Sequence, residues 1–372
     1  MAGSRASREV GLLARSLSIA AEDGVDHLTS NAMGLFTLLA SALVTASSCV
    51  PAATVPAVPN ETPASQPAPS SIPSISATPQ PPSPSPRSTR TPTATATPIL
   101  IGTPPGDLVF QSGDSVVYLP AKGEPHTVYS AVEGPPPGSP SFSPDCRWVA
   151  LTAPQADSTG FQGDILAVWI DGTEVRSIAS SSRHESGPSW SADGRRLVFV
   201  YDGSELHIVE LDSGARARLI AVDGGSVFAP AWSPTDEAIA YIEETQDGLK
   251  IRMVHPNHTP LPDVATGSVT PSGGLSWSPD GRRLAFVGDD GDLYISDIAS
   301  GTATQALTMP GRIEGTTWAA DGKTIVFSAT REENPTQYLW DLYSVNLADG
   351  ELRQLTTSGQ DRSPGLCRVT PP

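Results

Sequence analysis

Short runs of branched and aromatic residues recur between turn-forming residues throughout residues 107–372. Four of them are Leu197–Tyr201, Ile239–Ile242, Leu284–Val287 and Ile325–Ser328. Runs of four or five residues that are rich in Val, Ile, Phe and Tyr predict β-strands rather than helices. The pattern of apolar and polar positions therefore predicts an all-β domain.

A short aromatic motif precedes each of these strands. It reads Ser-Phe-Ser-Pro-Asp at 141–145, Ser-Trp-Ser-Ala-Asp-Gly at 189–194, Ala-Trp-Ser-Pro-Thr-Asp at 231–236, Ser-Trp-Ser-Pro-Asp-Gly at 276–281 and Thr-Trp-Ala-Ala-Asp-Gly at 317–322. Its aromatic residues, Phe142, Trp190, Trp232, Trp277 and Trp318, are 48, 42, 45 and 41 residues apart. A period of about 40–45 residues built from short strands is typical of β-propeller blades.

Each repeat also contains a third and a fourth strand. Third strands are predicted at Leu206–Leu211, Leu293–Ile298 and Leu342–Leu347, and a fourth at Leu352–Leu355. The Asp-Gly pairs suit tight hairpin turns, because both residues tolerate positive φ. Four antiparallel strands make one blade, and we expect the motif aromatics to fill the space between blades rather than to bind a ligand.

The repeat at 276–298 carries a specific resemblance. Its Ser-Trp-Ser-Pro-Asp-Gly-Arg-Arg-Leu-Ala-Phe sequence, followed by a second turn and strand, resembles the TolB-like, WD-type propeller repeat. The repeats at 189–211 and 317–347 are similar, whereas Cys146 replaces the expected Gly and Thr235 is inserted. The resemblance covers roughly residues 107–372. It implies the fold and, more weakly, a role as an interaction platform in a cell envelope, since one fold hosts many functions.

The blade count follows from the ends of the domain. Residues 107–132 contain three strand-like runs without a motif aromatic, and Leu366 lies 48 residues after Trp318, where a sixth inner strand should fall. We therefore predict a six-bladed propeller whose last blade is closed by the C-terminal strand pairing with the N-terminal strands. Such closure leaves no open edge between the first and last blades.

Residues 1–48 read as a leader. The apolar run at 34–46 is too short to span a bilayer and fits the core of a signal peptide, with Met33 as an alternative start. Small residues before Cys49 resemble a bacterial lipobox, which implies that Cys49 carries lipid. An ordinary secretory signal cleaved nearby is the alternative. Either one predicts export, to the periplasm or the cell surface.

Residues 49–106 read as a linker. Positions 50–106 contain 16 Pro and only three charged residues, so little is available to bury. Pro-rich chains extend by about 3.1 Å per residue, which gives a reach on the order of 100–170 Å. The linker is predicted to hold the domain at 107–372 away from a membrane.

Net charge and cysteine content limit the classes of partner and the disulfide pairing that this chain can have. A net charge of −17 without a basic stripe argues against nucleic acid as a partner and against binding of the propeller surface to anionic lipid. If Cys49 carries lipid, Cys146 and Cys367 remain as a pair in an oxidising compartment. They are predicted to form a disulfide that locks the ring, with two free thiols as the alternative.

Catalytic and metal patterns are weak. The sequence contains no Gly-x-Ser-x-Gly, His-Glu-x-x-His or Cys-x-x-Cys motif, so we expect no hydrolase domain, metal or cofactor. His255 and His258 are interpreted as a solvated loop. Calcium at Asp289, Asp290 and Asp292 is a minor alternative, because the full calcium-loop pattern is missing.

The loops that enter the inner strands give a better candidate surface, since they open at one mouth of the central channel. Their charged residues are Arg183, His184 and Glu185, then Arg312 and Glu314, then Asp361 and Arg362. Residues converging from three blades are interpreted as a site for a polar ligand, with a merely solvated rim as the alternative.

We therefore expect a non-catalytic, exported binding module whose partner is an envelope protein, a peptide or a cell-wall glycan. One alternative is a polysaccharide lyase or hydrolase that uses His184 with Glu185 or Asp361 as acid and base. Another is a structural spacer.

Overall fold

The computed structural model describes residues 100–131, 134–157, 160–235, 237–330 and 338–368. The predicted leader, Cys49 and most of the predicted linker lie outside these residues and stay predictions. Among the described residues, no helix is long and apolar enough to cross a membrane.

The described residues form strands throughout. In chain order these are β1 Leu108–Ser112, β2 Ser115–Leu119, β3 His126–Ser130, β4 Gly138–Phe142, β5 Trp148–Asp157, β6 Gly160–Trp169, β7 Val175–Ala179, β8 Glu185–Trp190, β9 Arg196–Tyr201, β10 Glu205–Glu210, β11 Arg216–Ala221, β12 Val227–Trp232, β13 Ile239–Thr245, β14 Gly248–Val254, β15 Pro260–Leu261, β16 Pro271–Trp277, β17 Arg283–Gly288, β18 Leu293–Asp297, β19 Thr302–Leu307, β20 Ile313–Trp318, β21 Thr324–Thr330, β22 Trp340–Asn346, β23 Leu352–Gln354 and β24 Asp361–Leu366. The strands predicted after each motif are confirmed.

These strands form six four-stranded antiparallel sheets, one for each blade. Blades 1 to 5 each use four consecutive strands, beginning with β4, β8, β12, β16 and β20 as the inner strand. Blade 6 is built from β24, β1, β2 and β3, with Leu108 opposite Leu366. The predicted six-bladed propeller and its closure by the C-terminal strand are confirmed.

The Asp-Gly motifs make the turns that end the inner strands. In blade 2 the Ser191 hydroxyl donates to Asp193 Oδ1 (2.6 Å), which also accepts from the Arg195 N–H, and Gly194 has a φ of 68°. The Ser191 bond is the main cause of the lowered pKa of Asp193. Cys146 occupies the glycine position of the first motif with a φ of 59°, a region that L-residues rarely adopt.

The motif aromatics pack between blades, as predicted. Trp232, Trp277 and Trp318 are among the largest fully buried side chains, and Trp277 Nε1 donates to the Ala231 carbonyl of blade 3 (3.0 Å). The small residues that precede the aromatics connect neighbouring blades. Ser189 and Ser276 accept hydrogen bonds from the backbone N–H of Trp232 and Trp318 in the next blade. These bonds tie neighbouring inner strands together.

Two further contacts join the ends of the ring. Cys146 in blade 1 and Cys367 after β24 form a disulfide, with sulfurs 1.99 Å apart across a sequence separation of 221 residues. Residues 100–102, which the sequence places in the linker, pair with the outer edge of blade 5: Leu100 lies opposite Thr356, and the Ile101 N–H donates to the Leu355 carbonyl (3.0 Å). The linker thus joins the propeller at the junction of blades 5 and 6.

Candidate functional site at the channel mouth

We call the end of the propeller where the inner strands begin the mouth; the Asp-Gly turns lie at the opposite end. All seven residues predicted as ligand-binding lie at or just before the first residues of β8, β20 and β24. The structure separates them into two environments: Arg183, His184, Arg312, Glu314 and Arg362 reach solvent, whereas Glu185 and Asp361 are fully buried. Only the solvent-reaching group is positioned to meet a ligand directly.

In blade 2 the mouth carries two exposed side chains, Arg183 and His184, beside the tightly packed backbone of β6. Arg183 donates to Asp202 (2.9 Å) in the next connection of the same blade. His184 lies against Gly163 of β6, where an added Cβ would come within 2.8 Å of the His184 ring and 2.6 Å of the Glu185 carbonyl. No sequence pattern predicts this contact, because Gly163 lies outside the repeat motif. Only glycine leaves room for the inner-strand loop here.

Glu185 is held by a hydrogen-bonded chain of side chains on blade 2. The Arg216 guanidinium donates from Nη1 to Glu185 Oε1 (3.1 Å) and from Nε to His207 Nδ1 (2.7 Å). It also lies over the rings of Phe199 and Tyr201, at 4.7 and 4.4 Å from their centroids. Arg216, which stands on the outer strand β11, therefore reaches across the blade to position the first residue of the inner strand.

The contacts of His207 define its protonation. Arginine is always a donor, so the Arg216 bond requires a deprotonated Nδ1 and leaves the proton on Nε2, which donates to Glu205 (2.6 Å). Burial lowers the pKa of His207, and the charge of Arg216 lowers it further against the opposing Glu205 bond. His207 is therefore a neutral link in the chain from Glu205 to Glu185.

We expect the free energy of unfolding to fall as the pH decreases below about 6.5, the pKa of an unfolded histidine. The unfolded chain then takes up a proton at His207 that the folded chain, with its lowered pKa, does not. Denaturant unfolding at pH 7.5 and 5.5 should show a smaller loss for His207→Gln, because glutamine keeps both hydrogen bonds without titrating. His184→Gln, at an exposed position, is the control and should behave as wild type. Equal losses in all three proteins would contradict the assignment.

Blades 5 and 6 bring together residues that the sequence left apart. Arg362 of β24 lies 3.9 Å from Glu314 of β20, and its guanidinium stacks 4.5 Å above the ring of Trp340. Tyr338, two residues before Trp340, is 73% exposed. We call Arg312, Glu314, Tyr338, Trp340 and Arg362 the mouth cluster. Sequence reasoning missed its two aromatics, although the connection from β21 to β22, at 331–339, is visibly longer than in most repeats.

A backbone bulge in every inner strand supports the mouth. The third residue before each motif aromatic, or before Leu366, has positive φ: Ser139, Gly187, Ala229, Gly274, Gly315 and Ser363, with φ from 49° to 63°. Neighbouring bulges touch, since a Cβ on Gly315 would lie 3.2 Å from the Ser363 Cα. A bulge changes the direction of the side chains next to it. Gly315 and Ser363 directly follow Glu314 and Arg362, so their bulges set the direction of those two side chains.

The alternative chemistries do not come together in the described residues. Glu185 is engaged by Arg216, and Asp361 is buried in blade 6, away from His184 of blade 2. Asp290 accepts from the Tyr294 hydroxyl (2.6 Å), which raises the pKa of Tyr294 to about 12, and Asp292 accepts from Gln305 and Thr308. Among the residues that the structure describes, no group of three His, Cys, Asp or Glu side chains is placed so that it could hold a metal ion. An ion site would therefore need hydroxyl or backbone oxygens as well.

Residues 204–367 match the family model described as the TolB beta propeller domain. The chain carries a TolB-like β-propeller. Its fold is similar to the crystal structure of TolB from Acinetobacter baumannii, with a TM-score of 0.60 and 18% identity, over 72% of this chain and 68% of that one. At this identity the likeness to TolB concerns the fold alone.

Two curated bacterial relatives of the TolB-like propeller are named as peptidases. Dipeptidyl-peptidase 5 of Porphyromonas gingivalis is 24% identical over 58% of this chain and 33% of its own length. The uncharacterized peptidase YuxL of Bacillus subtilis is 25% identical over 52% of this chain and 29% of its own length. The chain thus spans about a third of the length of these relatives.

Proposed function

We propose that this chain is a non-catalytic, exported binding module that takes an envelope protein, a peptide or a cell-wall polymer at the channel mouth. The observation that carries the proposal is the mouth cluster, in which Arg362 is stacked on Trp340 and paired with Glu314, and the exposed Tyr338 stands two residues before Trp340. Tyr, Trp and Arg dominate the binding energy of protein interfaces. A TolB-like propeller in an exported chain is consistent with such a role.

The geometry of the cluster suits recognition of an extended polar chain. Arg362 is half exposed while its stack on Trp340 fixes the guanidinium plane, so little entropy is lost when it binds a partner. Arg312 and Glu314 add both signs of charge at the same rim. The surface therefore favours a partner with polar or charged groups over a purely apolar ligand.

A tether is part of the proposal. Lipid on Cys49 and the Pro-rich residues 50–99 would hold the propeller at a membrane, and residues 100–102 fasten the tether beside blade 5. The membrane would then be a partner only through the lipid, and the propeller surface would remain free for its ligand.

The enzyme alternative rests on the peptidase-named relatives, which are matched over only a third of their length. His184 is exposed, but neither Glu185 nor Asp361 is placed as its acid or base partner. A spacer role would not explain the mouth cluster. A binding module accounts for the mouth cluster and for the lack of an acid or base partner beside His184.

Substitutions in the mouth cluster should weaken capture of a partner. Wild-type protein, Tyr338→Ala and Arg362→Ala would be immobilised and exposed to solubilised envelope and to cell-wall fragments of the host. We expect each substitution to reduce the affinity of the captured partner at least tenfold, the scale of an interface hot spot. The measurement is the Kd of that partner by interferometry.

Lys323→Ala is the matched control, because Lys323 is exposed at the Asp-Gly end of blade 5. It should bind as wild type does. Equal affinity in all four proteins, or capture of nothing by the wild type, would reject the mouth as the binding site. If the wild type turned over a polysaccharide or peptide and His184→Ala did not, the enzyme hypothesis would take the place of the binding module.

A further inference from the structure

Two buried carboxylates lie side by side where blades 5 and 6 meet. Trp340 of β22 and Gln360 form a parallel bridge, so the residues that follow them, Asp341 and Asp361, are adjacent across the same blade junction. Both side chains have no solvent exposure. Two fully buried acids in contact range need a compensating group.

The two carboxylates are not equally satisfied. Asp341 accepts from the Gly359 N–H (2.9 Å) and from Gln354 Nε2 (3.1 Å). Neither oxygen of Asp361 has a hydrogen-bond partner among the described residues. The hydroxyls of Ser112, Thr356 and Ser358 lie around it. Asp361 is thus a fully buried carboxylate whose neighbours are three hydroxyl groups and a second carboxylate.

We propose that Asp361, together with Asp341 and these hydroxyls, binds a hard metal cation, Ca²⁺, in the wall between blades 5 and 6. Carboxylate and hydroxyl oxygens are the ligands that Ca²⁺ takes in flexible geometry, and two carboxylates match its charge. The site is independent of the proposed function. It is also separate from Asp289, Asp290 and Asp292, whose loop lies in blade 4.

An ion at this site would affect both the mouth cluster and the closure of the ring. Asp361 directly precedes Arg362, and Asp341 directly follows Trp340, so the site lies beneath the stacked pair of the mouth cluster. It also joins the strand that closes the ring to the strand that it packs against. Occupation would therefore stiffen the ring closure and the Arg362–Trp340 stack together.

Thermal unfolding of the full-length, disulfide-bonded protein tests the site. Wild type, Asp361→Asn and, as the control, Asp212→Asn at an exposed turn of blade 2 would be melted at pH 7.5 in EDTA and in millimolar CaCl₂, with MgCl₂ as a second probe. Because Ca²⁺ binds the folded state, its addition should raise the Tm of wild type and of Asp212→Asn by several degrees. Asp361→Asn should not respond. Titration calorimetry should give one Ca²⁺ per chain in wild type and none in the variant.

Two results would overturn the proposal. One is a wild-type Tm that is the same in EDTA and CaCl₂, together with an Asp361→Asn protein that is more stable than wild type, which identifies a carboxyl that is simply protonated in place. The other is an equal Ca²⁺ response in Asp361→Asn and wild type, which places the ion elsewhere. If Asp361→Asn fails to fold, Ser112→Ala, which removes one hydroxyl, should bind Ca²⁺ more weakly than wild type. An unchanged affinity then rejects the site.

Discussion

Loss of the Cys146–Cys367 disulfide is expected to lower the free energy of unfolding by about 3–5 kcal/mol. The bond closes a loop of 221 residues between blade 1 and the strand that completes blade 6. In the chain-entropy model such a long loop restricts the unfolded chain strongly, so its removal favours unfolding. Urea denaturation of the oxidised wild type and of Cys146→Ser/Cys367→Ser measures the difference.

A second double variant separates the bond from backbone strain. Cys146 has positive φ at a position where three of the other four motifs have glycine, so Cys146→Gly/Cys367→Ser removes the bond and relieves the strain. It should retain about 1 kcal/mol more stability than the serine pair. A loss below about 1 kcal/mol in the serine pair would show that the β1–β24 pairing alone secures the ring.

Arg216→Ala is expected to destabilise the protein by about 2–4 kcal/mol, because it leaves the fully buried Glu185 with no cation. The substitution also removes the guanidinium from the faces of Phe199 and Tyr201 and its bond to His207. The inner strand of blade 2 begins at Glu185, so hydrogen exchange should rise at 183–187. Chemical denaturation and exchange mass spectrometry measure the two effects.

The matched control is Arg218→Ala on the same strand. Arg218 is 61% exposed and pairs with Glu205, so its loss should cost less than about 1 kcal/mol. Glu185→Gln in the Arg216→Ala background should recover part of the stability, because the uncompensated charge is gone. Equal effects of Arg216→Ala and Arg218→Ala would mean that Glu185 does not depend on its arginine.

Much of the fold could be predicted because the turns and strands of each repeat depend on residues that are close together in the sequence. The Ser-x-Asp-Gly turn at 191–194 needs only the Ser191 hydroxyl, the Asp193 carboxylate and a glycine with positive φ, all within four residues. Strand composition around Trp277 and its spacing from Trp318 are equally local. Closure of the ring was predictable because Leu366 lies about one repeat after Trp318, and the three strands within 107–132 lack an inner strand of their own.

The mouth was predictable only in part. The seven charged residues do stand at the mouth, since position along a blade follows from the repeat. Their burial does not, because Glu185 and Asp361 occupy positions that other blades fill with apolar residues such as Val227 and Ile313. Whether such a carboxylate is paired depends on a residue far along the chain. Arg216 does this for Glu185 across the blade, and no arginine or lysine among the described residues does so for Asp361.

The sequence by itself determined the all-β architecture, the six blades, the closing strand and the packing role of the tryptophans, because hairpins and strand periodicity depend on residues close together in the chain. Only the tertiary structure decided which side chains meet. It stacked Arg362 on Trp340, seated the end of the linker on blade 5 and placed Asp361 beside Asp341. These contacts join neighbouring blades or distant parts of the chain. They are set by how blades are arranged around the ring, and no local pattern encodes that arrangement.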